Sequence, residues 1–316
     1  MKRIVSTLIL TLFVALTRGQ ESQTAYNFLR LPVGAHEAAL GGKNVSLYDD
    51  DLSMTFSNPA LLTNVSDKTI VLNYMNYMSG VNTASAAFSR VAGEKGAWAV
   101  SGQLMDYGTM RQTDEYNVQT GEFSAKDIAL TGYYSHLLSE RITGGIAAKM
   151  VYTHIADYSS IAVGVDLGLN YFDAEREWSV SLVAKNLGGQ VKALDEDYDR
   201  MPMDVQVGVT KRLQHTPLRF SLTLSDMVHW DYKFIQHVAV GVDLLLSQQV
   251  WLGVGYNFRR AHQMSILSSL DQEESNHGAG LTLGGGLSLQ RFKLGVAYGK
   301  YHVSSSSIFI NAAYTL

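Results

Sequence analysis

From residue 68 to the end of the chain, apolar residues tend to occupy every second position. In the clearest run, one face carries only aliphatic or aromatic residues: Ile161, Val163, Val165, Leu167, Leu169 and Tyr171. The residues between them are small or polar. A period of two is that of a β-strand, whereas an α-helix needs a period of about 3.6. The pattern therefore predicts strands with one apolar face.

Fourteen segments of this kind follow one another, at 68–77, 81–91, 96–107, 126–138, 141–157, 160–171, 177–187, 203–212, 216–227, 235–246, 249–259, 279–289, 292–303 and 306–316. Most have the length of about 10 residues or more that a tilted strand needs to cross a bilayer, and they exceed the roughly 5–6 residues of soluble sheets. The last segment alternates up to Leu316, so we expect the last strand to close onto the first. The sequence predicts an all-β fold, a 14-stranded antiparallel transmembrane β-barrel over residues 68–316.

The connections between the predicted strands support this topology. The long connections, 108–125, 188–202 and 260–278, all fall on one side of the predicted sheet, and the opposite side has only short turns. Outer-membrane barrels have short periplasmic turns and longer extracellular loops. We therefore expect the long connections to face the outside of the cell.

The first 67 residues lack the alternation. Residues 1–19 combine a basic start with an apolar run of 13 residues from Ile4 to Leu16, which is typical of a secretory signal peptide and too short for a membrane-spanning helix. Residues 20–67 mix small, apolar and polar residues. Because side chains alone do not fill the interior of a 14-stranded barrel, we expect this segment to form a hatch or plug, with a periplasmic tail as the alternative.

Composition fits this picture and excludes several kinds of chemistry. Apolar residues make up 46% of the chain while the mean hydropathy is only −0.01, as expected when lipid-facing and lumen-facing residues alternate. Without residues 1–19, 22 Lys and Arg stand against 29 Asp and Glu, a net charge of −7 that gives no basic surface for nucleic acid. The chain has no Cys, and no complete catalytic, nucleotide-binding or metal-binding motif occurs. We expect neither an enzyme nor a bound cofactor or metal.

Acidic residues cluster at three places. Asp49, Asp50 and Asp51 are consecutive, an arrangement more typical of a solvated turn or cap than of a cation site. The other two clusters lie in predicted outer loops and are candidate partner contacts: Asp195, Glu196, Asp197 and Tyr198 in the first, and Asp271, Glu273 and Glu274 in the second.

The segment before the first strand carries a family resemblance. Tyr-Asn-Phe-Leu-Arg-Leu-Pro at 26–32 is followed by Ala-Ala-Leu-Gly-Gly at 38–42, Asp-Asp-Asp at 49–51 and Ser-Asn-Pro-Ala-Leu-Leu at 57–62. In order and spacing these motifs resemble the PorV/PorQ group of type IX secretion proteins of Bacteroidetes and, more distantly, FadL-type transporters. The chain ends in Leu316, where many outer-membrane proteins end in Phe. The resemblance implies that Asn58, Pro59 and Ala60 belong to a hatch inside the barrel.

The resemblance also implies a function in the cell outer membrane that is not enzymatic. It suggests that the chain anchors a PorZ-like surface protein in an attachment complex with PorU- and PorV-like proteins, where secreted cargo is processed and attached to lipopolysaccharide. The alternative is a FadL-like transporter of hydrophobic small molecules. The residues expected to face the lumen are small or polar, which argues mildly against an apolar channel: Gly164, Asp166, Gly168, Asn170, Asp243 and Asn257. A soluble two-sheet β-protein, with the aliphatic faces packed together, is a third option.

Overall fold

A computed structural model describes residues 24–78, 80–264, 266–267, 274–275, 278–302 and 305–316, with side chains left out at 266–267 and 274–275. Fourteen of its strands form one closed antiparallel barrel, which confirms the predicted fold class. Within the described residues, no helix has the length and apolarity needed to cross a membrane. The predicted signal peptide, Asp271 and Glu273 lie outside these residues, and Glu274 is described by its backbone alone.

The barrel strands follow one another in chain order, and each pairs with its neighbours. They are β1 (Thr69–Met78), β2 (Val81–Ala92), β3 (Gly96–Thr113), β4 (Gln119–Ser139), β5 (Ile142–Ile155), β6 (Tyr158–Asp173), β7 (Trp178–Lys192), β8 (Asp204–Arg212), β9 (Leu218–Leu224), β10 (Val238–Leu245), β11 (Val250–Asn257), β14 (Leu281–Ser288), β15 (Phe292–His302) and β16 (Ser305–Thr315). Strand β1 pairs with β16 from Thr69 opposite Thr315, which closes the barrel. The two-residue strands β12 (Ile266–Leu267) and β13 (Glu274–Ser275) pair only with each other.

The two-residue alternation divides each strand between the two sides of the barrel wall. On β6, Val163, Leu167 and Leu169 are exposed on the outside, whereas Asp166 and Asn170, at the alternate positions, are buried. The same division holds for the other predicted lumen residues, because Asp243 and Asn257 are also buried. An apolar outer face and a small or polar inner face therefore run around the barrel.

The two ends of the barrel differ in their connections. At the end where β1 begins and β16 stops, no connection is longer than five residues, and we call this the turn end. The opposite end, which we call the loop end, carries the longer connections 193–203, 225–237 and 258–280. The predicted separation of short turns from long loops is therefore present.

Predicted strand ends are wrong at three places, all at the loop end, and one of them is β7, which continues to Lys192 into the predicted loop 188–202. Strands β3 and β4 continue as a paired ribbon through Thr113 and Gln119, so most of the predicted loop 108–125 is strand. Its residues are mostly polar on both faces. Because neither face is apolar, the sequence shows no alternation of apolar and polar residues that would indicate a strand. Residues 225–227 and 235–237, expected to be strand on either side of a short turn, belong instead to one connection, 225–237, with a 3₁₀ helix at Phe234–His237.

Candidate functional site

The lumen is the first candidate site, because residues 24–65, here called the N-terminal segment, pack against the inner wall of the barrel. Glycines on the wall admit its backbone. A Cβ atom at Gly145 on β5 would lie 2.3 Å from the Ala60 nitrogen, and one at Gly255 on β11 would lie 2.1 Å from the Gly41 nitrogen. Such distances leave no room for a side chain, so these glycines are needed for the close approach.

The predicted hatch motif lies deep in this packing. Asn58 has no exposed surface, and its side-chain oxygen accepts a hydrogen bond from the Ala60 N–H at 2.9 Å, capping the 3₁₀ helix Pro59–Asn64. Its side-chain nitrogen donates to the Val45 carbonyl at 2.8 Å and to the Ser181 hydroxyl on β7 at 3.1 Å. One side chain thus joins two parts of the N-terminal segment to the wall.

The three consecutive aspartates have three separate structural contacts. Asp49 pairs with Arg219 on β9 at 3.2 Å, and Asp50 pairs with Lys293 on β15 at 2.5 Å. Asp51 caps the following 3₁₀ helix by accepting a backbone hydrogen bond at 2.8 Å. Across the described residues, no group of three or more His, Asp or Glu side chains is placed to hold a metal ion. The run fixes the N-terminal segment to two strands.

Buried charges link the middle of the lumen. The Lys149 ammonium on β5 donates to the Asp166 carboxylate on β6 at 2.7 Å and to the Asn186 side-chain oxygen at 2.7 Å. Burial raises the pKa of Glu37 in the N-terminal segment, although Lys185 lies close enough to oppose that rise. In this part of the lumen the buried Lys149 and Asp166 therefore compensate each other's charge.

A second buried network lies nearer the turn end. The His36 ring stacks on Trp251 with the ring centroids 3.7 Å apart, and its Nε2 atom lies 3.0 Å from Asp243. Arg219 donates from Nε to the other oxygen of Asp243 at 2.8 Å. Because Arg219 also contacts Asp49, this network ties the N-terminal segment to β9, β10 and β11.

At the loop end, a cavity of about 200 Å³ lies between the N-terminal segment and the barrel. Its walls include four basic side chains, Arg30, Lys43, Arg259 and Arg260, and the carboxylate of Asp226. Asp226 pairs with Arg30 at 2.7 Å and also with Arg259. Burial alone would raise the pKa of Asp226, but the positive charges of Lys43, Arg259 and Arg30 lower it to about 2.

A larger and more apolar cleft of about 540 Å³ opens on the loop end, between β3–β7 and the N-terminal segment. Its apolar lining includes Tyr107, Met110, Phe123 and Leu194. Tyr26 also lines the cleft, with its hydroxyl oxygen 2.9 Å from the Ser160 hydroxyl. A ring or a short alkyl chain would fit this cleft.

The predicted acidic loop folds back toward the N-terminal segment. The Ala25 N–H donates to the Arg200 carbonyl at 3.0 Å, which places connection 193–203 over the start of the segment. The candidate contact residues Asp195, Glu196, Asp197 and Tyr198 all remain exposed. They are available to a partner.

Connection 225–237 carries exposed apolar residues that the sequence pattern did not identify. Trp230 is 68% exposed and Phe234 is 70% exposed, with Ile235 next to it also exposed. Because the sequence places these residues between alternating segments, they were read as a turn and a strand start. Three bulky apolar side chains in one solvent-facing connection could have been noticed once the loop side was assigned.

No family model and no curated protein sequence matches this chain. Among solved structures, the CymD monoaromatic hydrocarbon channel is 12% identical, with a TM-score of 0.60 over 92% of this chain and 98% of that one. The toluene transporter TbuX of Ralstonia pickettii is 12% identical, with a TM-score of 0.58 over 90% and 98%.

A FadL homologue of Pseudomonas aeruginosa is 11% identical, with a TM-score of 0.56 over 89% of this chain and 98% of that one. At these identities the similarity concerns the fold alone. The neighbours are transporter or channel barrels and not enzymes, which is compatible with the expectation that this chain has no catalytic activity. The chain has the closed 14-stranded fold of FadL-like barrels.

Proposed function

We propose that the protein is an outer-membrane barrel whose lumen is closed by its N-terminal segment, and that it anchors a surface protein at its loop end. The aliphatic outer face supports a place in the membrane, because such a surface is stable only against lipid or another apolar surface. The contacts of Asn58, Asp49 and Asp50 with the barrel wall, and of Gly145 on the wall with the N-terminal segment, support the closed lumen. A plugged barrel is suited to holding a partner.

The observation that carries the anchoring role is the exposed apolar surface on connection 225–237. Trp230, Phe234 and Ile235 lie outside the barrel strands, in a connection at the loop end, which we expect to face away from the cell. Exposed aromatic residues are the usual anchors of protein interfaces. The acidic residues of connection 193–203 would add a polar rim.

The resemblance of the N-terminal motifs to the PorV/PorQ group suggests which partner this would be. We propose a PorZ-like surface protein within a type IX attachment complex that includes PorU- and PorV-like proteins, next to lipopolysaccharide. The partner contacts would lie on connections 193–203 and 225–237. That Asp271, Glu273 and Glu274 also contact the partner stays a prediction.

Co-purification tests this role. A tagged chain is solubilised from outer membranes in detergent, and the proteins recovered with it are identified. We expect the Trp230→Ala/Phe234→Ala double variant to recover much less of the surface partner than the unmodified chain does. The matched control is Trp178→Ala/Phe292→Ala, which removes similar aromatic area at the turn end. Equal partner recovery with both double variants would show that connection 225–237 is not the partner contact.

Transport of hydrophobic small molecules is the second candidate, and the structural comparisons support it more directly than they support anchoring. TbuX is a toluene transporter and CymD is a monoaromatic hydrocarbon channel. The cleft beside Tyr107, Met110 and Phe123 is the feature of this chain that would receive such a molecule.

Uptake measurements separate the two candidates. Cells that carry the protein as the added outer-membrane barrel are supplied with labelled toluene. Transport predicts faster uptake than in cells without the protein, and it predicts that Phe123→Ser and Met110→Ser reduce the rate. Uptake equal to that of cells without the protein would leave anchoring as the better supported role.

A further inference from the structure

The buried aspartates of the barrel differ in how their charge is balanced. Six aspartates are buried among the described residues, and five of them form ion pairs. Those five pairs are Asp166 with Lys149, Asp173 with Arg141, Asp204 with Lys43, Asp226 with Arg30 and Asp243 with Arg219. The buried Glu37 likewise has the positive charges of Lys185 and Lys43 nearby. The sixth aspartate, Asp127 on β4, has no ion-pair partner within the described part of the chain.

The contacts of Asp127 hold its carboxylate in place without balancing its charge. Its Oδ2 atom accepts a hydrogen bond from the Tyr107 hydroxyl at 2.6 Å, and its Oδ1 atom accepts one from the Thr153 hydroxyl on β5. An ionised carboxylate can accept about four hydrogen bonds, so acceptor positions remain on both oxygens. Asp127 is only 5% exposed, and a buried charge without a counter-charge is costly.

This carboxylate forms part of the wall of the apolar cleft at the loop end. The cleft volume of about 540 Å³ lies in the range of roughly 300–1,000 Å³ that small-molecule sites have. The lining is otherwise largely apolar or aromatic and includes Tyr26, Tyr107, Met110, Phe123, Ile155 and Leu194. A molecule that fills the cleft would therefore meet hydrocarbon on most sides and a carboxylate at one place.

The charges around the cleft favour a cation over an anion. Among the described residues that line it there is no Lys, Arg or His, whereas the exposed Asp199 lines it in addition to Asp127. Arg200 follows Asp199 in the chain, so that exposed carboxylate has a cation close by. Lys126, the neighbour of Asp127, lies on the outer side of β4 and pairs with Asp106 at 3.9 Å. The uncompensated negative charge is thus the buried one of Asp127.

We propose that this cleft binds a hydrophobic amine, an alkyl or arylalkyl group that carries one protonated amino group. The ammonium would donate to the remaining acceptor positions of Asp127, and the rings of Tyr107 and Phe123 in the same lining can add cation–π attraction. The proposal rests on the transport candidate only in placing a small molecule in this cleft, and it names the class of that molecule. A neutral hydrocarbon would fill the apolar part but leave the carboxylate without a counter-charge.

Three probes of similar shape test the preference for positive charge. The purified full chain in detergent is titrated by calorimetry at pH 7 with 2-phenylethylamine, which is protonated at that pH, with neutral 2-phenylethanol and with the anion 3-phenylpropionate. We expect the amine to bind about tenfold or more tightly than the alcohol, because it adds charged hydrogen bonds, and the anion to bind most weakly. Equal binding of amine and alcohol, tighter binding of the anion, or no binding of the amine overturns the proposal.

One substitution locates the charge that the amine meets. Asp127→Asn keeps the size of the side chain, so we expect the amine affinity to fall to that of the alcohol while the alcohol binds as before. The matched control Asp157→Asn removes an exposed carboxylate at the same end of the barrel, outside the described lining, and should change neither affinity. Circular dichroism checks that each variant is folded. A folded Asp127→Asn chain that still prefers the amine, or an Asp157→Asn chain that loses the preference, contradicts the proposed site.

These titrations can fail independently of the transport candidate. Uptake of labelled toluene measures passage through the barrel, whereas the titrations measure occupancy of the cleft. A preference for the amine without toluene uptake would support the site and count against transport. Toluene uptake without a preference for the amine would keep transport and overturn the amine site.

Discussion

The inner and outer faces of the barrel wall belong to the same strands but are specified in different ways. On β5, Lys149 points inward to one carboxylate and one amide, while the next residue, Met150, points outward with nearly half of its surface exposed. The outer position needs only an apolar side chain. The inner position needs a particular residue, because Lys149 is buried and must match the Asp166 carboxylate and the Asn186 amide beside it.

This difference means that the inner face carries the information that distinguishes this barrel from others of its fold. Any aliphatic side chain can face lipid, so the outer face requires apolar residues but not a particular residue at each position. Inner residues of the wall such as Ser181 and Gly145 each contact one particular part of the N-terminal segment, so replacing either with a similar residue should lower stability. Substitutions on the two faces should therefore differ in size and in kind.

The largest effect is expected from Lys149→Met. This change leaves the Asp166 carboxylate buried without its ammonium partner, which costs about 3–5 kcal/mol of unfolding free energy. Urea unfolding of the protein in lipid vesicles measures it. The adjacent outward change Met150→Leu should cost less than about 1.5 kcal/mol. Similar losses for both would show that the two faces are not specified differently.

The next effect tests the outer face. Leu167 lies near the middle of β6 with almost half of its surface exposed, so Leu167→Lys would place a charge in the lipid and cost about 2–4 kcal/mol. Leu167→Val keeps the apolar class and should cost less than about 1 kcal/mol. The same vesicle assay compares them. A well-tolerated lysine would contradict a lipid-facing outer surface.

A smaller effect is expected where the wall meets the N-terminal segment. Gly145→Ala would bring a methyl group against the backbone of Ala60, at a cost of about 1–3 kcal/mol. Gly132→Ala on β4 is the control, because no atom lies within 4 Å of its added methyl group. Limited proteolysis should release the N-terminal segment faster in Gly145→Ala alone. Unchanged protection of the segment would contradict the contact.

The smallest of the four effects is expected for Asn58→Ala. It removes the cap of the 3₁₀ helix Pro59–Asn64 and the donor to Ser181, which costs about 1–2 kcal/mol. Asn76→Ala, on the outer face of β1, removes one exposed hydrogen bond and should have little effect. Thermal unfolding in detergent compares the two variants, and equal midpoints would count against a special role for Asn58.

The barrel could be predicted from the sequence because its signal is local and repeated. Alternation along β6 is visible in the residues themselves, and the fourteen segments gave the correct strand number and closure. The ribbon at the outer ends of β3 and β4 was missed because its side chains face water on both sides. Its strand structure depends on backbone pairing, such as that of Thr109 with Ser124, which no side-chain pattern reveals.

The contacts inside the lumen could not be predicted in the same way. Lys149 lies opposite Gly164 and diagonal to Asp166 in the register between β5 and β6, and a two-residue shift that placed Lys149 opposite Ala162 would separate the pair without changing the apolar pattern. The basic cavity depends on segments more than 200 residues apart, because Arg30 and Arg260 both line it. A single sequence indicates which residues face inward, but it does not indicate which of them meet.

The central claim, that the N-terminal segment closes the lumen, is tested most directly by electrical recording in a planar lipid bilayer. Purified full chain is inserted beside an open porin measured under the same conditions. The packing of residues 24–65 against the inner wall predicts insertion without a steady ion current. A stable ohmic current comparable to that of the porin would show an open lumen and contradict the account.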